Sequence, residues 1–159
     1  MLLHPFFDAM LYRLYSPEDF APLYAIEEIC FQPPFRFSRS YMRRLVDASN
    51  AAAWIAEENS IMAGFAIVAW RAVKGGVMAY IETIEVTPTQ RGKGVGAELL
   101  CRVEDSARSA GALSLWLHVD ETNAGAIRLY ERHGFHSHGS EEHFYAPGRG
   151  ALIYGKSLN

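Results

Sequence analysis

Between residues 86 and 97 the chain reads Val86-Thr87-Pro88-Thr89-Gln90-Arg91-Gly92-Lys93-Gly94-Val95-Gly96-Ala97, and no other segment constrains the fold as strongly. Before it lies a β-rich run over 77–86; after it Ala97, Leu100, Val103 and Ala107 recur at helical spacing over 97–110, with Gly111 as the stop. Glycines alternating with Lys93 and Val95 exceed what a tight turn requires. Side-chain-free residues at the mouth of a helix let backbone N–H groups close on an anion at the helix's positive end. A strand, a glycine loop and a helix in that order predict a phosphate-binding turn in an α/β domain.

The rest of the chain divides without a linker, repeat or low-complexity segment. Residues 10–15 read as a strand, and Ser16-Pro17-Glu18-Asp19 as a helix start with a Ser cap, Pro at the first position and acids in the first turn. That helix runs to about Phe31 and is broken by Gln32-Pro33-Pro34-Phe35; Ser38 or Ser40 caps a shorter one through Tyr41, Leu45 and Val46. Strands over 52–57, 61–73 and 77–86 form an antiparallel meander. After the glycine loop come a helix over 97–110, a strand over 112–119, a helix over 123–133 closed by Gly134, and strands over 135–145 and 151–156. The order β-α-α-β-β-β-α-β-α-β-β predicts one mixed α/β domain over 1–159, a central sheet of about seven strands flanked by four helices.

Two phosphate motifs fail on this loop. The nucleoside-triphosphate loop needs a hydroxyl residue after Gly-Lys, where Gly94 stands. The dinucleotide fingerprint finds its relaxed spacing in Gly92, Gly94 and Ala97, but Thr87 to Arg91 intervene between strand and first glycine, and the chain after Asp120 is too short for the rest of a doubly wound sheet. Val86, Pro88, Arg91, Gly94 and Gly96 resemble instead the acetyl-CoA loop of the GNAT superfamily. The run Asn123-Ala124-Gly125-Ala126-Ile127-Arg128-Leu129-Tyr130-Glu131-Arg132-His133-Gly134-Phe135 is similar to that superfamily's second signature, Asn-x-x-Ala-x-x-x-Tyr-x-x-x-Gly-Phe. The likeness covers essentially the whole chain. It is narrowest toward RimI-like enzymes, which acetylate ribosomal-protein N-termini, through the Phe31 to Phe35 turn, Leu115-Trp116-Leu117 and Phe144-Tyr145-Ala146-Pro147-Gly148.

The resemblance implies acetyl transfer from acetyl-CoA to a primary amine by direct attack. That chemistry needs a base, an oxyanion donor and a proton for the leaving thiolate. A base working at neutral pH suits an imidazole, and His118 stands at the carboxyl end of its strand, the edge where open α/β sheets bind ligands. RimI-like enzymes carry glutamate there, while some eukaryotic N-terminal acetyltransferases have histidine in a Leu-His-Val context. Glu82, expected on the strand face of Ile84 and Val86, is the reserve base. Tyr130 lies seven residues after Asn123, two helical turns along one face, so the resemblance assigns Asn123 to the pantetheine arm and Tyr130 to the sulfur. It also implies an oxyanion-binding backbone N–H within Ile84, Glu85 and Val86, at a strand splayed from its neighbour. The cofactor is expected on Arg91, Gly92, Lys93, Gly94, Val95, Gly96 and Ala97, with its pyrophosphate on the loop Gly92 to Gly96.

Composition sets the surroundings. A formal charge of -3 and a pI of about 6.1 exclude a general basic field for nucleic acid. The N-terminal stretch 1–14 carries Asp8 and no cleavage site, so no signal peptide is expected, and 61–70 is too short to span a bilayer. Cys30 and Cys101, without CxxC spacing, read as reduced core residues. The histidines at 133, 136 and 138 lack the partners of a structural zinc site, so no metal is expected. Arg36, Arg39, Arg43 and Arg44 read as a solvated face or one edge of the substrate groove. The expectation is a cytoplasmic enzyme whose partners are acetyl-CoA and an amine, either a peptide N-terminal α-amine (preferred) or a small molecule. A homodimer, a non-catalytic acyl-CoA sensor and an NAD-binding module stay open.

Overall fold

The computed structural model describes residues 9–159, so the first eight residues of the stretch read as lacking a signal peptide lie outside the described residues. Along the chain run β1 (Leu11–Leu14), α1 (Phe20–Cys30), α2 (Arg39–Asp47), β2 (Ala51–Glu58), β3 (Ile61–Val73), β4 (Gly76–Val86), α3 (Val95–Ser109), β5 (Ala112–Asp120), α4 (Ala124–Arg132), β6 (His136–Ala146) and β7 (Arg149–Ser157). The expected order holds, with single 3-10 turns at Pro17–Asp19 and Pro88–Gln90.

One seven-stranded sheet carries the order β1-β2-β3-β4-β5-β7-β6. Neighbours are antiparallel except β4 and β5, the two strands joined by the glycine loop and α3. A parallel pair needs such a crossover, whereas the hairpins need only turns. The β2–β3 turn uses Asn59 and Ser60 at φ 52° and 63°, the left-handed pair that matches strand twist.

The sheet separates two cores. β3 reads as a continuous apolar run because both its faces are covered: Ala66 and Val68 face α3 and α4, while Phe65 and Ile67 face α1 and α2. Helix α3 presents Val95, Leu99, Leu100, Val103 and Ala107 to the first core, all buried. Truncating Leu99 to Ala there costs about 2–5 kcal/mol. On the other face, Ser38 caps α2 by accepting from the Tyr41 N–H, and the Ser16–Asp19 capping box opens the segment that leads into α1. Arg13 of β1 pairs with Asp19 at 2.7 Å and Glu57 at 3.0 Å, tying the edge strand to both neighbours.

Cys101 corrects the expectation of a core thiol: it lies on the exposed side of α3, and Cys30, the last residue of α1, is only partly buried. In α3 the apolar stripe that packs inward is offset from Cys101, whereas Cys30 packs at the margin of the core beneath α1 and α2.

Candidate active site

β4 and β5 pair only from Val77↔Ala112 to Tyr80↔Trp116. Beyond those residues the strands part, and the gap opens into a cavity of about 590 Å³ bordered by Ile84, His118, Asn123 and Tyr130. Two features force the parting. Against β3, Ile67 pairs with Thr83 and Val68 with Ile81, so Glu82 is an extra residue that bends β4. On the other flank β5 stays paired with β7 through Asp120. The splay that Ile84, Glu85 and Val86 were expected to need is therefore present.

The glycine loop lies at the same end. Gly92 and Gly94 take φ of 76° and 84°, and a Cβ built at either meets nothing within 4 Å. Gly94 is the N-cap of α3 and offers no side-chain cap, so the first-turn N–H groups of Val95, Gly96 and Ala97 are left for an anion. That open, uncapped cradle fits a pyrophosphate. Lys93 stays on the loop, its Nζ 3.4 Å from Gln90 Oε1. Arg91 also has partners within the fold. Its Nε donates to the Val86 carbonyl at 3.0 Å and its Nη2 lies 3.6 Å from Cys30 Sγ, bracing the end of β4.

Tyr130 is buried on α4, edge-on to Phe135, and no described residue bonds its hydroxyl, which borders the cavity. Burial holds its pKa above the ordinary phenol value, so it keeps its proton. Asn123 precedes α4 instead of lying within it: as N-cap, its Oδ1 accepts from the Ala126 N–H at 3.1 Å. The expected shared helical face is therefore replaced by a cap and a first-turn offset, yet both residues border one cavity.

His118 is held on both sides. Nε2 is 2.8 Å from Glu141 Oε2 and Nδ1 is 2.7 Å from the Tyr80 hydroxyl, while Phe144 stacks flat on the ring at 4.0 Å. Because a carboxylate only accepts, Nε2–H donates to Glu141, and neutral His118 accepts the Tyr80 proton at Nδ1. Burial raises the pKa of Tyr80, which also keeps its proton. Tyr80, Glu141 and Phe144 had no motif to announce them. Tyr80 could have been found from strand parity with Glu82, but Glu141 and Phe144 come from β6, which pairs with β7 and not with β5. A bulge in β6, with His143 at φ 58° and its Nδ1 accepting the Gly148 N–H, turns Phe144 and Tyr145 inward.

Glu82 borders the same cavity, and burial raises its pKa, which makes it a stronger base than a solvated carboxylate. Glu85 points the other way. Its side chain is buried with Glu27 of α1, accepts from Thr83 Oγ1 at 2.7 Å, and can give the gap only its backbone. Burial pushes both carboxyls up, and the nearby Glu27 charge raises Glu85 further.

The cavity's outer wall is aromatic: Phe35 and Tyr145 approach to 5.1 Å across its mouth. Arg149 lies on Phe35 at 4.8 Å and donates to Asp120 at 2.6 Å, latching the β6–β7 turn to the α1–α2 segment. Arg36 borders the cavity and donates to the Phe31 and Glu28 carbonyls. Arg39, Arg43 and Arg44 lie over the rings of Tyr24, Phe20 and Tyr41. Of the clustered histidines, His133 donates from Nδ1 to the Leu129 carbonyl and His138 packs on Trp116.

Residues 13–135 match the Acetyltransferase (GNAT) family. An L-methionine sulfoximine/L-methionine sulfone acetyltransferase of Salmonella typhimurium is 31% identical over 130 residues, 74% of this chain and 76% of that enzyme. A streptothricin acetyltransferase of Streptomyces lavendulae is 47% identical over 74 residues, 46% of this chain but 38% of that enzyme, so the chain spans well under half of its length. Among solved structures, the ribosomal-protein-S18-alanine N-acetyltransferase from Escherichia coli superposes with a TM-score of 0.81 at 25% identity, covering 95% of each chain.

Proposed function

The chain belongs to the GNAT acetyltransferase family, whose members move acetyl from acetyl-CoA to an amine, and from that premise we propose that its acceptor is the α-amine of a peptide N-terminus. The observation that carries this reading is the chain Tyr80–His118–Glu141 at the mouth of the β4–β5 gap. An α-amine has an unperturbed pKa near 8, against about 10.4 for a lysine side chain, so an imidazole relay frees it at modest cost. The aromatic mouth formed by Phe35 and Tyr145 offers flat walls to an extended chain.

In this reading Glu82 draws the incoming ammonium group. The amine loses a proton to the Tyr80 oxygen as the Tyr80 proton passes to His118 Nδ1, and Glu141 stabilises the imidazolium. His118 is thus the base at one remove, since neither ring nitrogen is free to meet the amine. Acetyl-CoA supplies the thioester; the backbone of Ile84 to Val86 faces the developing oxyanion, and Tyr130, with its proton retained, protonates the departing sulfur and is restored by the second proton that the nitrogen gives up as the intermediate collapses. Asn123 and the loop Gly92 to Gly96 hold the carrier.

A small-molecule amine is the second reading, favoured by the relative that acts on L-methionine sulfoximine and aligns over three-quarters of this chain. CoA release with peptides beginning Ala, Ser or Met, set against small amines and amine-blocked controls, separates the two. Turnover of small amines alone defeats the peptide reading and leaves acetyl transfer standing.

A further inference from the structure

A second hollow, of about 360 Å³, lies on the same face of the sheet, and apart from Tyr80 and Glu82 none of its lining enters the reaction described above. Its floor is a strip of paired β3 and β4: Ala69 lies opposite Tyr80, and Arg71 opposite Met78. These alternate residues share the face of Ile67, the one covered further along by α1 and α2. Asn50 forms a side wall, fixed by its Nδ2 donating to the Trp70 carbonyl at 2.7 Å. Tyr80 and Glu82 border this hollow and the larger cavity alike, so a molecule leaving the reaction site along the strand passes over them.

The strip is polarised. Glu82 sits at the junction, Ala69 and Met78 form an apolar middle, and Arg71 stands exposed at the far end with no hydrogen bond or ion pair among the described residues. An acceptor that lies along it meets an acid first and a guanidinium last. Met78 and Glu82 are four strand residues apart, about 13 Å at the usual rise. An extended peptide advances at nearly the same rate. With its amine beside Glu82, its third residue falls about 10 Å on, inside the reach of an arginine side chain.

Resting on the peptide-acceptor reading, we propose that this strip is a second acceptor subsite in which Arg71 binds a carboxylate carried about three residues from the reacting amine. The carboxylate has two sources, a tripeptide's own C-terminus or an acidic third side chain, and Arg71 recognises the group they share. The test compares the acid and the C-terminal amide of Ala-Ala-Ala, and the amides of Ala-Ala-Ala and Ala-Ala-Glu, with the intact chain and acetyl-CoA.

The expected result is a KM about tenfold lower whenever the third residue carries a carboxylate, with kcat unchanged and the advantage shrinking at high salt. If only the acid form of Ala-Ala-Ala gains, the C-terminus is the ligand; if only Ala-Ala-Glu amide gains, the side chain is. Arg71→Gln, an exposed change near a strand end, is expected to erase the advantage and leave the KM of Ala-Ala-Ala amide as it was. Equal KM values for charged and amidated peptides, or a rise for both in Arg71→Gln, overturn the subsite alone. Absence of peptide turnover while small amines are acetylated overturns the peptide reading and this subsite with it.

Discussion

The two ends of the cavity are built from different material. The end assigned above to the donor, from the β4–β5 gap through Gly92 and Gly94 to the first turn of α3, presents backbone groups and few side chains. At the other end, Phe35 and the neighbouring pair Phe144 and Tyr145 come from two segments far apart in the chain, brought together by tertiary packing. Backbone recognition dictates residue type at fixed spacing and tolerates little change, whereas a wall of side chains can be re-lined while the fold stays intact. The relatives differ accordingly in the acceptors they are named for, a methionine analogue in one and a ribosomal-protein alanine in another.

The contrast makes the donor end the place of largest effect. Gly94→Glu puts a side chain at φ 84° and a negative charge where an anion should sit, so CoA affinity should fall at least about 100-fold, or about 3 kcal/mol, while far-UV circular dichroism stays native. Retained micromolar binding by calorimetry would mean that the carrier lies elsewhere. Next, Tyr130→Phe should lower kcat by about 10²–10³ with CoA affinity intact. Unchanged turnover would remove the acid role from Tyr130.

At the acceptor end the effects should be smaller and tied to pH. His118→Ala should flatten the ascending limb of log(kcat/KM) against pH. Glu141→Gln, which weakens the hold on Nε2–H, should lower kcat/KM about tenfold and displace that limb without moving CoA affinity. A profile identical to wild type in both variants would hand the base role to Glu82.

The smallest effect concerns stability. Glu27 and Glu85 are buried together, and Glu27 is pushed from the ordinary 4.5 up to about 7. A carboxyl raised on folding binds more protons folded than unfolded, so its contribution is complete below the unfolded value and is lost as pH rises through the folded one. The Tm should therefore decline between about pH 4.5 and 7, and Glu85→Gln should flatten that decline. An equal slope in the variant would show that the pair stays ionised or separates.

The same division explains what could be read from the chain directly. Alternation, helical spacing and caps placed every element, because burial on one face imposes a period; even the capping pair Ser16 and Asp19 was legible. The glycine loop and the Asn123 to Phe135 run were legible for the reason already given, that backbone chemistry leaves fixed residue types. The partners of His118 were not. They depend on β7 intervening between β5 and β6 and on a bulge near His143, both settled by register. The bond from Arg91 to the end of β4 was not legible either, because a motif position states a residue type and not its partners within the fold. The bulge at Glu82 was missed because an extra residue in β4 shows only when β3 is laid against it.

The parting of β4 from β5 has a mechanical meaning as well. Beyond Tyr80 the two halves of the sheet, β1 to β4 and β5 to β6, are not paired with each other, and the short seam at Val77 to Tyr80, with α3 packed across it, joins them. A molecule bound in the gap therefore acts as a wedge and a clamp at once, bridging edges that the protein leaves open. Binding there should slow amide exchange along both facing edges together, residues 81–86 and 117–120, far more than in the meander or the β6–β7 hairpin.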